Sequence, residues 1–195
     1  MGSVPLILAS TSRYRRELLA RLRVKFDVVD PAVAETPQPD ETPEALALRL
    51  AVAKAEAVAA RFPDALVIGA DQVAILGDQP LGKPHTHANA VAQLRAMRGR
   101  RVRFLTAVAV VRARERASRT RLVPCDVDFR DYSDAAIERY LQAERPYDCA
   151  GAAKIEALGI ALVRRLETED PTALIGLPLI AVVELLGELG CDVLA

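Results

Sequence analysis

The stretch Leu6-Ile7-Leu8-Ala9-Ser10-Thr11-Ser12-Arg13-Tyr14-Arg15-Arg16-Glu17-Leu18-Leu19 constrains the fold more than any other part of this chain. A short apolar run breaks into three consecutive hydroxyl residues and then turns basic, with Leu18, Leu19 and Leu22 at helical spacing. That order predicts a strand, a tight loop and a helix. Unpaired N–H groups at a helix start carry partial positive charge and attract anions. Ser10, Thr11, Ser12, Arg13, Arg15 and Arg16 add donors and fixed charge, the equipment of a phosphate cradle. A serine cap ahead of a solvated basic face fits the same residues equally well.

At 195 residues, 51% of them hydrophobic, the chain can bury a sizeable core as one domain or as two small lobes sharing a core. Lys+Arg and Asp+Glu both number 26, so the net charge is zero. A neutral chain is not built for nonspecific nucleic-acid binding, so any basic site must be local. Cys125, Cys149 and Cys191 are odd in number and lack Cys-x-x-Cys spacing, which suits a reduced, cytoplasmic protein better than a disulfide or zinc framework. The start of the chain lacks the basic region, long apolar stretch and cleavage site of a signal peptide. Leu177–Leu186 contains Pro178 and Glu184 and is too short to span a bilayer. The expectation is a soluble protein with no membrane partner.

Further along, Lys25–Asp30 alternates as a short strand, and Pro31, Pro37, Pro39 and Pro43 mark a loop holding Glu35. Thr42 is expected to cap a helix with Pro43 at its first position and a stripe of Leu46, Leu50, Ala53 and Ala57. Lys54 in its middle reads locally as a surface lysine. Leu66–Ala70 is a buried-type strand with Asp71-Gln72 following, where α/β proteins place catalytic carboxylates and where an Asp also simply caps a turn. Val73–Leu76 and Pro80–Leu81 flank a turn as a hairpin, and Gly82-Lys83-Pro84 holds a lysine on a stiff loop. His85 and His87 have no third metal ligand nearby, and Thr86 is expected to cap a helix running to Met97.

Val102–Val111 predicts a strand, and Arg112–Arg121 a charged hairpin loop or solvated edge. Cys125, Val127 and Phe129 alternate with Asp126, Asp128 and Arg130, a strand whose two Asp residues fit a wet face. Ser133 caps a helix carrying Ile137, Tyr140 and Leu141. Tyr147–Gly159 is a small-residue loop suited to close approach of a ligand, and Ile160–Val163 is expected to be a strand. The closing helix is expected over Leu174–Leu189. Interleaved strands and helices predict a mixed α/β fold.

In their order and spacing, Leu-Ala-Ser-Thr-Ser followed by Arg15-Arg16 and Leu18-Leu19, Glu35-Thr36-Pro37, Lys54-Ala55, Gly69-Ala70-Asp71-Gln72-Val73, Gly82-Lys83-Pro84, Cys149-Ala150-Gly151 and Gly176-Leu177-Pro178-Leu179 resemble the Maf family of nucleoside triphosphate pyrophosphatases. The resemblance runs from about residue 6 to 190. It implies a single domain over residues 1–195, two lobes around a deep cleft, with a mixed sheet, flanking helices and a likeness to inosine triphosphate pyrophosphatases. It also implies a divalent metal (Mg²⁺ or Mn²⁺), homodimers in many members, and cleavage of a nucleoside triphosphate to monophosphate and pyrophosphate. Carried over by position, Asp71 is the catalytic proton acceptor. Ser10, Ser12, Arg15, Arg16, Lys54 and Lys83 fall at phosphate-binding positions, and Glu35 and Asp71 at the metal.

Within the family, the branch acting on dTTP and UTP typically has Ser-Pro-Arg-Arg, Ser-Asp-Thr and a late-loop Gln where this chain has Ser12–Arg16, Ala70-Asp71-Gln72 and Lys154-Ile155-Glu156. Tyr14, Gln72 and Glu156 look instead like the branch that hydrolyses 7-methyl-GTP. N7-methylation makes guanine cationic, and such a ring stacks on an aromatic face by roughly 0.5–2 kcal/mol. Its N1–H and exocyclic amine can donate side by side to one carboxylate, a role suited to Glu156. Gln72 can donate and accept. The branch usually has Trp at position 14 and Pro at 13, and Ala34 and Ala70 stand where Asp and Ser are frequent. A pyrophosphatase for dTTP, UTP or other modified nucleotides, and a non-catalytic nucleotide-binding regulator of cell division, are the competing expectations.

Overall fold

The computed structural model describes residues 4–195; the domain expected over the whole chain therefore includes three residues outside the described ones. Among the described residues, strands β1 (Leu6–Ala9), β2 (Asp27–Val29), β3 (Leu66–Leu76), β4 (Gln79–Leu81), β5 (Arg101–Arg112), β6 (Ala117–Phe129) and β7 (Val163–Thr168) form one sheet of order β2-β1-β3-β5-β6-β7, with β4 paired to β3. β1 runs parallel to β2 and β3, whereas β3–β4 and β6–β7 are antiparallel. The sheet is thus mixed, flanked by helices α1 (Arg13–Ala20), α2 (Pro43–Ala59), α3 (His87–Met97), α4 (Asp134–Glu144) and α5 (Leu179–Glu188). The chain separates into two compact units, dividing within β3, β5 and β6: residues up to 71, 106–123 and 170–195 in one, and residues 72–105 and 124–169 in the other.

In the first unit, strand alternation decides which helix meets which face. Leu6, Leu8, Leu66, Ile68 and Ala70 point to one side, where they join Leu18 and Leu19 of α1 and Val182, Leu185 and Leu186 of α5 in an apolar core. Gly69 and Asp71 lie on the opposite side. A Cβ on Gly69 would stand 2.6 Å from the backbone nitrogen of Ala55, so β3 and α2 touch backbone to backbone there. The departure from Ser at Ala70 consequently falls in the apolar core, on the face away from Asp71.

In the second unit α3 packs against α4, and Leu94, Met97, Phe104, Val127, Phe129, Ile137 and Leu141 are buried. Asp126 and Asp128, expected on a wet face, are taken up by Arg103 and Arg101 of β5, each through an Nε–Oδ1 bond of 2.7 Å. His87 meets the Tyr147 hydroxyl at 3.0 Å and a carboxylate oxygen of Glu138 at 2.9 Å.

Four local expectations change. β3 does not stop at Ala70 but runs unbroken through Asp71 to Leu76, because its later residues pair with β4. The buried face of α2 is Ala47, Leu50, Ala51, Lys54, Ala55 and Val58, rotated from the predicted stripe, since small alanines let the helix sit close to the sheet. Residues 158–162 form a 3₁₀ turn and the strand starts at Val163. The final helix begins only at Leu179, because Gly176 adopts φ 119° and Pro178 supplies no N–H.

Candidate active site

The first unit builds its polar centre where the parallel pairing ends. β1 stops at Ala9, opposite Gly69, so Ser10 and Asp71 both lie just past the last β1–β3 pair. Ser10 is buried, and its hydroxyl accepts the Ser12 N–H at 3.1 Å. Ser12 caps α1 by accepting the Arg15 N–H at 3.4 Å. A hydroxyl that accepts can still donate, so both serines keep an O–H for an anion. On α1, Arg16 is exposed and Tyr14 half-buried, its hydroxyl accepting from Arg13 at 2.6 Å. Arg15 turns inward, donating Nε–H to the Gly176 carbonyl at 2.8 Å. Burial lowers the Arg15 pKa, and the carboxylates of Asp71 and Glu35 pull against that shift.

Lys54 is no surface lysine. The residue is 4% exposed, and its ammonium lies 2.7 Å from Asp71 Oδ1 and 2.5 Å from Glu35 Oε1. The Gly69–Ala55 approach explains this: Lys54 precedes Ala55 on α2, and Asp71 follows Gly69 by two residues on the same face of β3. Glu35 sits on an irregular loop, which Arg49 of α2 ties down. Arg49 holds Glu41 through bonds of 2.5 and 2.8 Å and donates to the Thr36 carbonyl at 3.2 Å. Arg15, Glu35, Lys54 and Asp71 therefore form one balanced group of two cations and two carboxylates. Asp71 Oδ2 has no hydrogen bond among the described residues.

Three expected residues belong to the second unit. Gln72 follows Asp71 in β3 and, by alternation, points to the other face. Lys83 is exposed on a loop anchored at the Gly82 carbonyl, which accepts from Gln93 at 2.9 Å. Glu156 is exposed in the turn between Lys154 and Gly159. Sequence reasoning missed Arg49 and the Gly176 carbonyl, both of which position members of the central group. The only hint was Gly176 ahead of Pro178, a pair that ends regular helix.

No group of three or more His, Cys, Asp or Glu able to hold a metal occurs among the described residues. Glu35 and Asp71, which one ammonium reaches together, are two carboxylates at one point that could hold a divalent cation. A cavity of about 550 Å³ at the other end of the parallel strands, beside Asp27, Phe62 and Asp64, contains none of the expected residues. No helix among the described residues is long and apolar enough to cross a membrane.

A family model described as Maf-like protein matches residues 5–189. The 7-methyl-GTP pyrophosphatase of Thiobacillus denitrificans is 58% identical over 192 residues, spanning 98% of this chain and 96% of its own length. That of Methylobacillus flagellatus is 56% identical over 190 residues, spanning 97% and 99%. The solved structure of the Staphylococcus aureus Ham1 protein aligns with a TM-score of 0.47 and 16% identity, covering 65% of this chain and 72% of the other.

Proposed function

We propose that this chain, which belongs to the Maf family, hydrolyses 7-methyl-GTP to 7-methyl-GMP and diphosphate, removing a modified nucleotide from the pool. The observation that carries the reading is Lys54 held between Asp71 and Glu35 with Arg15 beside them. Water attacks the α-phosphorus in line, a P–O bond forms, and the bond from that phosphorus to the bridging oxygen breaks as diphosphate leaves. Asp71 accepts the proton of the attacking water on Oδ2, while Lys54 fixes Oδ1.

Because the central group is already balanced in charge, a triphosphate needs further cations. Arg16 and Lys83 are exposed, and the two serine hydroxyls add donors. A divalent cation fits the residues present, since Mg²⁺ and Mn²⁺ take one or two carboxylates and complete their shell with phosphate oxygens. Glu35 and Asp71 would hold it, and when bound it would neutralise phosphoryl charge. Tyr14 stacks on the cationic 7-methylguanine ring and Glu156 accepts from its N1–H and amine, with Gln72 as a third polar contact. Its substrate is a free nucleotide in the cytoplasm, with neither nucleic-acid nor membrane partners, and the homodimers of many family members give the assembly to test.

The test is pyrophosphate release from 7-methyl-GTP, GTP, UTP and dTTP, with Mg²⁺ or Mn²⁺ and with chelator. Metal-dependent turnover strongest on 7-methyl-GTP is expected. Stronger turnover on UTP or dTTP would remove the base assignment and leave the hydrolytic chemistry. No turnover on any of the four would sink both.

A further inference from the structure

The turn that carries Glu156 is held from outside itself. Tyr140 and Glu144 lie four residues apart on one face of α4. The Tyr140 hydroxyl donates to the Ala152 carbonyl and accepts the Lys154 N–H, both at 2.9 Å. Glu144 accepts the Lys154 ammonium on Oε2 at 2.8 Å and the Leu158 N–H on Oε1 at 3.0 Å. The helix therefore grips both ends of the segment from 152 to 158. Inside the grip the turn closes on itself, with the Lys154 carbonyl accepting from Ala157 and Gly159. A Cβ at Gly159 would lie 2.4 Å from that carbonyl oxygen, so only glycine permits the closure. Ile155 is buried and Glu156 beside it exposed, so one side chain pins the turn and the next is displayed.

Both gripping groups are in the right protonation state. Burial pushes the Tyr140 phenol up, keeping it a donor. The Lys154 ammonium, and then the Leu158 N–H, hold Glu144 below the usual carboxylate range.

A carboxylate reads the N1–H and amine of guanine only if both oxygens are correctly placed, and a preorganised loop loses less freedom on binding than a loose one. From this geometry we infer that Tyr140 and Glu144 are positioning residues that set selectivity for the guanine edge by fixing where Glu156 stands. The inference rests on the proposed role of Glu156. It separates two selectivities: Tyr14 distinguishes the methylated ring from GTP, and the α4 grip distinguishes guanine from a pyrimidine.

The experiment measures kcat/KM for 7-methyl-GTP, GTP and UTP in the unaltered protein and in Glu144→Gln, Tyr140→Phe and Glu156→Ala. In Glu144→Gln and Tyr140→Phe the 7-methyl-GTP to UTP ratio falls roughly 10- to 100-fold, mainly through KM. The 7-methyl-GTP to GTP ratio stays as it was. A merely structural role would scale all three substrates alike and leave both ratios unmoved. If Glu156→Ala collapses the guanine preference while both α4 variants retain it, the inference fails and the base assignment stands. If Glu156→Ala leaves the preference intact, the base assignment fails and takes the inference with it. Tyr140→Phe removes a single hydroxyl, so it keeps the test available should Glu144→Gln not fold.

Discussion

The guanidinium carbon of Arg13 stands 4.7 Å from the centre of the Tyr14 ring. A cation therefore already occupies one face of the aromatic ring assigned to a cationic base. Exposed contacts of this kind are worth about 0.5–1 kcal/mol. Arg13→Ala is accordingly expected to lower KM for 7-methyl-GTP by about two- to five-fold, with little change for UTP. Tyr14→Ala moves the same constant the other way. A substrate panel with Arg13→Ala unchanged would mean that the base does not use this ring.

Asp71→Asn keeps the size of the side chain and an oxygen for Lys54 but removes the proton acceptor. Pyrophosphate release is expected to fall by about 10²–10⁴ with the melting temperature little altered. Turnover that survives this substitution would falsify the mechanism.

Lys54→Met strips Asp71, 7% exposed, of its ammonium partner. Leaving a buried carboxylate uncompensated is expected to cost about 3–5 kcal/mol in urea unfolding. Because the ammonium competes for the same oxygens as a divalent cation, Mn²⁺ should bind the variant more tightly in calorimetry and restore part of that stability. Loss of Mn²⁺ binding would show that Lys54 does not compete for these carboxylates.

Gly69→Ala places a methyl group 2.2 Å from the Ala51 carbonyl oxygen and 2.6 Å from the Ala55 nitrogen, both backbone atoms. Relief requires α2 to move off β3. A loss of about 1–3 kcal/mol is expected from overpacking, with activity falling further because Lys54 moves with the helix. Full activity in the folded variant would separate the helix–strand contact from the site.

The Arg49 side chain, followed by the Gln38 N–H, holds Glu41 at about 2. A depressed carboxylate stabilises the fold fully above its unfolded value, 4.5 here, and that contribution is lost as pH falls from 4.5 toward 2. The urea midpoint should drop between pH 6 and pH 3, and drop less in Glu41→Gln. Hydrogen exchange should locate the early loss at the loop carrying Glu35, which Arg49 also ties down through the Thr36 carbonyl.

Much of this site was legible along the chain. Ser12, Thr42, Thr86 and Ser133 each sit where a cap belongs and each accepts the N–H three residues on, because capping is decided within one turn of helix. The turn from β1 through Ser12 into α1 likewise needed only neighbours. Lys54 is the opposite case. Local pattern makes it a surface lysine and rotates the apolar stripe away from the buried face, keeping only Leu50 on it, because that face is chosen by a glycine in β3 that admits the helix backbone.

Period, spacing and residue type were enough for the alternation of strands and helices, the caps and the family. Which charges meet depended instead on how the elements pack. That packing seated Lys54 between Asp71 and Glu35, turned Arg15 onto the Gly176 carbonyl and hung the Glu156 turn from α4. Those pairings span sequence distances over which no local periodicity operates. They form because burying a polar group is costly unless a partner is brought to it, and the partner is whichever residue the packing of β3, α2 and α4 delivers.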